Sequence, residues 1–221
     1  MQAFQVGKQK KTRRKRGQTR PAILDAAVRL LMQEGPETLT TTRLAKEVGI
    51  VQSGFYAHFR TIDECLKAVV AEIDTNVRAP LADQMAQLRL TDAGDVELLD
   101  EFYHVLFDRV EENWPLMEVF LHFRGDHSSI GKMIADFEMS LVSDLQLHLM
   151  EMRDTVSLEK VFGNAPEKML LALAQMMISQ ALVGIMQWKL GNISRDVLAR
   201  LLAEQTSKVG ESAKAAGIRI V

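Results

Sequence analysis

Residues 40–60 carry polar side chains of the types that bind nucleic acids. Within this stretch, Phe55 and Phe59 are four residues apart and would share the inward face of a short helix over about residues 52–59. The outward face of that helix would carry Gln52, Ser53, Tyr56 and Ala57. A glutamine amide can form two hydrogen bonds with one base edge, and hydroxyl groups can bind phosphate oxygens. The pattern therefore predicts a hydrogen-bonding surface for a nucleic acid.

The first 18 residues are expected to form a basic arm. Residues 8–20 contain eight lysines and arginines and no acidic residue, whereas the rest of the chain has 19 basic against 29 acidic residues. A basic arm on an acidic body predicts local contact with a polyanion, and a solvated charged tail is the alternative. The arm residues that are candidate contacts are Lys10, Lys11, Arg13 and Arg14.

Signatures of catalysis and of metal binding are missing from the sequence. It has no glycine-rich phosphate loop, no His-Glu-x-x-His helix and no nucleophile elbow. The histidines of the C-terminal part are too scattered to predict a metal site. The single cysteine, Cys65, is expected to be a small buried apolar residue. The chain is therefore expected not to be an enzyme, and no metal or cofactor is predicted.

Helical periodicity runs from Pro21 to the end of the chain and strand signals are nearly absent, so the predicted fold is all-α. The first helix has Thr19 as its expected N-cap and ends at Gly35. The second begins at the cap Thr40 and ends at Gly49, which can adopt the positive φ of a tight turn. Two short helices joined in this way are typical of a helix-turn-helix, which presents its second helix to the DNA major groove.

A fourth helix is expected to begin near Asp63 and Glu64, whose charges suit a helix N-terminus. Further apolar helical patterns cover about residues 81–90, 95–113, 115–124, 128–154, 166–190 and 195–208. The expected division is a small unit over 19–66 and a larger one over 67–221, coupled mechanically by the fourth helix because no flexible linker separates them. No apolar run approaches the roughly 18 to 20 residues that span a bilayer, so a soluble cytoplasmic protein is expected.

The predicted helix-turn-helix and the helix before it resemble the DNA-binding domain of TetR-type bacterial repressors. The matching positions are Ile23-Leu24-Asp25-Ala26-Ala27, Gly35, Thr40, Leu44-Ala45, Val48-Gly49-Ile50 and Phe55-Tyr56-Ala57-His58-Phe59. The resemblance covers about residues 20–70 and implies that Gln52, Ser53 and Tyr56 face the DNA groove. It places nearer the phosphates Thr40, Thr41, Ala57 and His58. Early in the preceding helix, Thr42 and Arg43 are additional candidate contacts.

Two positions depart from the family pattern. Val51 stands where the family commonly has a serine cap for the recognition helix, so this cap is expected to be weaker or satisfied otherwise. Ile62 replaces the family's usual phosphate-binding lysine at the start of the fourth helix. Arg60 or Lys67 could compensate, as could the basic arm if it lay in a flanking minor groove.

The C-terminal part is rich in methionines and aromatic residues, which suit an adaptable apolar cavity and suit an ordinary helical core equally well. The candidate ligand-binding residues are Tyr103, His104, Phe107, Met117, Phe120, Phe123, Arg124, Met133, Phe137, Met177 and Trp188. The segment Phe120–Gly125 resembles the subgroup of these repressors that senses long-chain fatty acyl thioesters. The expected effector is a hydrophobic small molecule, either a fatty acyl thioester or a different hydrophobic compound.

The last two long helices carry apolar stripes that include small residues at Ala174, Ala181 and Gly184. The family implies a homodimer with a four-helix bundle built from these helices, and burial within their own domain is the alternative. The predicted function is a ligand-responsive transcriptional repressor that binds a palindromic operator and is associated with the nucleoid when DNA-bound. The competing hypothesis is a helical interaction module that binds no operator.

Overall fold

The computed structural model describes residues 17–87, 95–151 and 166–215, and every regular element within them is helical, so the all-α prediction is confirmed. The N-terminal elements are α1 (Thr19–Glu34), a 3₁₀ turn (Pro36–Thr38), α2 (Thr41–Val48), α3 (Gln52–Tyr56) and α4 (Ile62–Ile73). The later elements are a π-helical turn (Asp74–Arg78), α5 (Ala79–Gln87), α6 (Val96–Glu112), α7 (Trp114–Phe123), α8 (Ser129–Glu151), α9 (Pro166–Lys189) and α10 (Arg195–Ala215). The arm residues Lys10, Lys11, Arg13 and Arg14 lie outside the described residues.

The chain divides into two units between Val69 and Val70, inside α4. The first unit has a small apolar core that includes Ile23, Leu30, Leu31, Leu44, Phe55, Phe59 and Cys65. Its second helix begins and ends as the sequence predicts. The Thr40 hydroxyl accepts a hydrogen bond from the Arg43 amide at 3.1 Å, and Gly49 ends α2 with a φ of 75°. These two ends fix the length of α2 and the tight turn that leads into α3.

The start of α1 differs from the prediction. Thr19 is already helical, because the Ala22 amide donates to the Gln18 carbonyl at 3.3 Å and closes the first turn one residue earlier. The side chain of Gln18 makes no capping hydrogen bond. The prediction that Thr19 caps this helix is therefore wrong, since the backbone carbonyl of Gln18 starts the helix without a side-chain cap.

A π-helical turn connects α4 to α5 without a break in the helix. The Ala79 amide donates to the Asp74 carbonyl, five residues earlier. Pro80 has no amide hydrogen and cannot donate to the carbonyl four residues before it, which favours a wider turn at this point. Arg78 pairs with Asp74 in the turn and with Asp144 of α8. The turn is therefore anchored to a second helix of the same unit.

The second unit is built on two helix pairs, α6 with α10 and α8 with α9. The Tyr103 hydroxyl of α6 lies 2.9 Å from Thr206 Oγ1 of α10, in largely buried surroundings. Between α9 and α10, a Cβ on Gly184 would lie 2.5 Å from Leu198 Cδ1. A larger residue at Gly184 would therefore require the Leu198 side chain to move, in keeping with the small residues in the sequence of α9.

The helix α9 is more apolar than the sequence analysis assumed. Its segment Glu167–Lys189 has 23 residues and a mean hydropathy of 1.8 in its most apolar window, so by length and composition it could cross a membrane. A core helix of a soluble protein can meet the same test. Only 28% of that window is buried, because Met176, Val183 and Met186 are exposed. The helix therefore presents an apolar face that its own unit does not cover.

Candidate nucleic-acid interface

The helix α3 is short, and its orientation is set by two buried phenylalanines. Phe55 and the following Phe59 are 0% and 2% exposed, with ring centroids 5.8 Å apart. The adjacent Tyr56 is 51% exposed, although its ring makes an edge contact with Phe55. The other residues predicted to face outward, Gln52, Ser53 and Ala57, are also exposed, as is the candidate phosphate contact His58. Burial of the two phenylalanine rings thus forces the polar side of α3 into solvent.

Three side chains from α2 and α3 form a polar cluster. The Gln52 Nε2 donates to Thr41 Oγ1 at 2.9 Å. Thr41 Oγ1 lies 3.5 Å from the Tyr56 hydroxyl. Thr41 is half-buried, whereas Gln52 and Tyr56 are exposed. The first residue of α2 therefore links the two largest polar side chains on the surface of α3, which the sequence analysis did not foresee.

Arg43 makes contacts within the protein. Its guanidinium forms an ion pair with Glu34 at the end of α1, and a second with Glu47 at 3.7 Å. The hydrogen bond from Arg43 lowers the pKa of the Glu34 carboxyl. Arg43 thus connects α1 and α2, while its neighbours Thr40 and Thr42 are exposed.

A surface depression of about 350 Å³ lies between α2 and α3, lined by Thr42, Ala45, Lys46, Gly49, Ile50 and Gln52. Lys46 is an exposed cation on this surface that the sequence analysis did not consider. The sequence could have indicated this lysine, because it follows Thr42 by four residues and therefore lies on the same side of α2. A lysine beside a hydrogen-bonding amide is suited to contact a phosphate next to a base edge.

The departure at Val51 has the expected consequence for the cap of α3. Val51 makes no side-chain capping bond, and the only local closure within the described residues is backbone, from the Gly54 amide to the Val51 carbonyl at 2.8 Å. Val51 is 65% exposed beside Gln52. An exposed valine at this position could contact a thymine methyl group.

At the start of α4, where Ile62 replaces the lysine of the family pattern, the first turn is closed by Thr61 and Glu64. The Thr61 hydroxyl accepts from the Glu64 amide at 3.1 Å, and the Glu64 carboxylate accepts from the Arg60 amide at 2.7 Å. Ile62 is half-buried, whereas Arg60 and Lys67 are exposed. Both cations are therefore available to bind phosphates in place of the lysine of the family pattern.

The candidate ligand residues of the second unit fall into groups. Phe107 lies between Tyr103 and Trp188, with centroid distances of 6.4 and 5.5 Å. Trp188 also lies under the Lys189 ammonium, which is 4.8 Å from its ring and 4.5 Å from that of Trp114. The sequence analysis did not connect these two tryptophans, which are far apart in the chain.

The second group lies around α7 and α8. The rings of Phe120 and Phe137 are 5.9 Å apart, and Met117 and Phe123 are buried. Arg124 makes a two-point ion pair with Glu138, at 2.8 and 2.6 Å. This hydrogen-bonded pair raises the pKa of the guanidinium.

The remaining candidates have separate surroundings. Met133 is half-buried, and Met177 packs against a small core of Val142, Leu145 and Ala174. His104 Nε2 lies 3.6 Å from Asp100 Oδ2. Within residues 17–87, 95–151 and 166–215, no cluster of His, Cys, Asp or Glu could hold a metal ion.

Comparison with known proteins gives the first unit a family. Residues 23–69 match the family described as bacterial regulatory proteins, tetR family. No curated protein matches the chain in sequence. The match covers α2 and α3 entirely, together with the buried residues of α1 and most of α4.

Solved structures extend the likeness to the second unit. A protein from Syntrophomonas wolfei, assigned to the TetR-family transcriptional regulators, is 15% identical, with 89% of this chain and 97% of that chain covered and a TM-score of 0.68. The fatty acid degradation regulator FadR from Bacillus halodurans is 17% identical. The alignment covers 87% of this chain and 96% of that chain, with a TM-score of 0.60. FadR from Bacillus subtilis, solved with stearoyl-CoA, is 14% identical, with 85% and 97% covered and a TM-score of 0.59.

At these identities the likeness establishes the fold alone. Residues 23–69 thus match the tetR family of bacterial regulatory proteins, and the chain shares its helical fold with the solved regulators named above.

Proposed function

We propose that the protein is a homodimeric, effector-responsive transcriptional repressor that binds a palindromic operator in the cytoplasm, and is nucleoid-associated when bound. The observation that carries this proposal is the polar cluster of Thr41, Gln52 and Tyr56 on the exposed side of a matched helix-turn-helix. Two symmetry-related recognition helices would enter successive major grooves roughly 34 to 36 Å apart or somewhat wider, which requires two related half-sites.

The test begins with selection of DNA by the full chain from a random library. We expect near-palindromic sites, and Gln52→Ala should weaken binding to the selected site by about 1 to 3 kcal/mol. Gln33→Ala, an exposed glutamine of α1 outside the cluster, is the matched control and should bind as the parent does. Binding without any sequence preference would support the competing interaction module instead.

The proposed dimer rests on the uncovered apolar surface of α9 and α10. The exposed apolar residues of these helices are Met169, Met176, Val183, Met186, Val197 and Leu201. Several exposed apolar residues on two neighbouring helices are typical of a subunit interface. Val183→Asp should convert dimers to monomers in analytical ultracentrifugation, whereas Leu147→Asp on α8, which is comparably exposed, should leave the dimer intact.

The proposed effector is a fatty acyl thioester. Structures with this fold include FadR from Thermus thermophilus in complex with lauroyl-CoA, at a TM-score of 0.53, and the stearoyl-CoA complex of the Bacillus subtilis protein. In this chain, the rings of Phe107 and Phe120 are buried, so the aromatic groups around them would line an acyl-chain site only if the surrounding helices moved apart. A different hydrophobic compound is the alternative.

Titration of lauroyl-CoA, followed by the fluorescence of the chain's two tryptophans, tests this effector with and without operator DNA. We expect the operator to change lauroyl-CoA affinity by the factor by which lauroyl-CoA changes operator affinity, because linkage is reciprocal. Free coenzyme A and lauric acid are the controls. Equal lauroyl-CoA affinities in both conditions would show that the thioester is not a regulatory ligand.

A further inference from the structure

We propose that Thr41 is a specificity-determining residue, which orients the Gln52 amide so that it recognises adenine rather than guanine at one position of each half-site. This inference rests on the proposed function and deepens it. The sequence analysis placed Thr41 nearer the phosphates. In the structure its hydroxyl also contacts the side chain that is predicted to face the groove, since Gln52 Nε2 lies 2.9 Å from Thr41 Oγ1.

The orientation of the amide decides which groups remain for a base. A glutamine side chain has two N–H donors and one carbonyl acceptor. Because one N–H of Gln52 is donated to Thr41, one N–H and the carbonyl Oε1 remain. Adenine offers an acceptor at N7 and a donor at N6 in the major groove, whereas guanine offers acceptors at both N7 and O6. The remaining edge of Gln52 therefore complements adenine.

The reversed amide would have the opposite preference. With Oε1 turned toward Thr41, both N–H groups of Gln52 would face the groove and complement the two acceptors of guanine. Reversal requires the Thr41 hydroxyl to donate its single proton to Oε1. In the observed cluster this proton can instead be donated to the Tyr56 hydroxyl, 3.5 Å away. Either hydroxyl can be the donor in this contact, and donation by Thr41 to Tyr56 is the arrangement that keeps Thr41 as the acceptor for Gln52.

The position of Thr41 suits this role. It is the first residue of α2, immediately after the Thr40 cap, so its backbone is fixed at the start of the helix. Its β-branched side chain has few rotamers, and it is half-buried. Gln52 and Tyr56 are exposed, so their remaining hydrogen-bonding groups are free to contact DNA. Thr41 thus positions the amide without itself needing to touch a base.

The experiment uses the full chain and its selected operator. The operator position at which Gln52→Ala loses its base preference is the one that Gln52 recognises. The affinity for operators with each of the four bases at that position is then measured. The parent protein should prefer adenine over guanine by about tenfold or more. Thr41→Val keeps the branched shape but removes the acceptor, and should bring the two affinities within about threefold. Thr41→Ser restores the acceptor and should restore the preference.

Thr38→Val is the matched control, because this exposed threonine of the 3₁₀ turn donates its hydroxyl to the Gly35 carbonyl and lies outside the polar cluster. It should leave the ratio of adenine to guanine affinities unchanged. Thermal melting separates misfolding from a change in base preference. A Thr41→Val protein that keeps the adenine preference, or a parent that prefers another base there, would overturn the inference while leaving operator binding in place. Absence of any sequence-specific binding by the parent would overturn the proposed function and this inference together.

Discussion

The exposed surfaces of the two units differ in chemistry and in what holds them. On the first unit, Gln52 and Tyr56 are exposed polar side chains tied to Thr41 by hydrogen bonds. On the second, α9 exposes Met176, Val183 and Met186, which can be stabilised only by apolar contact. A polar surface can be ordered before its partner arrives, whereas an apolar one depends on burial by the partner. The first surface therefore suits reversible recognition and the second suits a lasting subunit contact.

The largest expected effect separates the buried residue of α3 from its exposed neighbour. Phe55→Ala should lower the free energy of unfolding by about 3 to 5 kcal/mol, because it leaves a cavity in the small core of the first unit. Tyr56→Ala should lower operator affinity by about 1 to 3 kcal/mol with much less effect on stability. Chemical denaturation and DNA titration of both variants check the pair. Equal losses of stability would mean that Tyr56 belongs to the core.

A smaller effect is expected where α9 meets α10. Gly184→Ala should destabilise the second unit by about 1 to 3 kcal/mol, because the added methyl group would lie 2.5 Å from Leu198 Cδ1. Val183→Ala changes the adjacent, exposed side of α9 and should weaken dimerisation instead. Denaturation at low protein concentration measures the first effect and sedimentation the second. A Gly184→Ala protein as stable as the parent would show that the two helices can separate at little cost.

The smallest effect concerns the buried thiol of Cys65. Burial raises its pKa to about 12, whereas in the unfolded chain it titrates near 9. Because the folded pKa is the higher one, the neutral thiol stabilises the fold below pH 9, and this contribution is lost as pH rises toward 12. The free energy of unfolding should fall by about 1 kcal/mol at pH 10 from this group.

The variant Cys65→Ala supplies the control for that pH dependence. Its unfolding free energy should change less than that of the parent between pH 8 and pH 10. A thiol-specific reagent should also modify the folded parent far more slowly than the unfolded chain. Rapid modification of the folded protein would contradict the burial of Cys65.

The parts of the fold that could be predicted from sequence depend on local chemistry. Thr40 caps α2 and Gly49 ends it, because a hydroxyl beside free amides and a positive φ are properties of single residues. The alternation of buried and exposed residues on α3 follows from helix period alone. The cap of α1 was mispredicted because the helix begins one residue earlier, at Thr19, and the side chain of the preceding Gln18 makes no capping hydrogen bond.

The contacts that were not predicted join residues that are distant in the chain. The bond from Gln52 to Thr41 spans 11 residues and the ion pair of Arg43 with Glu34 spans 9, so both depend on how the helices cross. The sequence left open whether the apolar stripe of α9 is covered by its own unit or by another subunit, because the stripe has the same appearance in both cases.

The π-helical turn has a geometric consequence for the stripe of Ile73, Val77 and Leu81. All three are buried, and they follow one another at intervals of four residues. In a regular α-helix each such interval advances a side chain by about 40° around the axis, so Leu81 would be displaced by about 80° from Ile73. The wider turn at Asp74–Arg78 takes up part of that angular drift. The three side chains therefore stay on one side of the helix over two turns without supercoiling. Deletion of one residue within the turn should rotate Leu81 away from the buried side that Ile73 occupies.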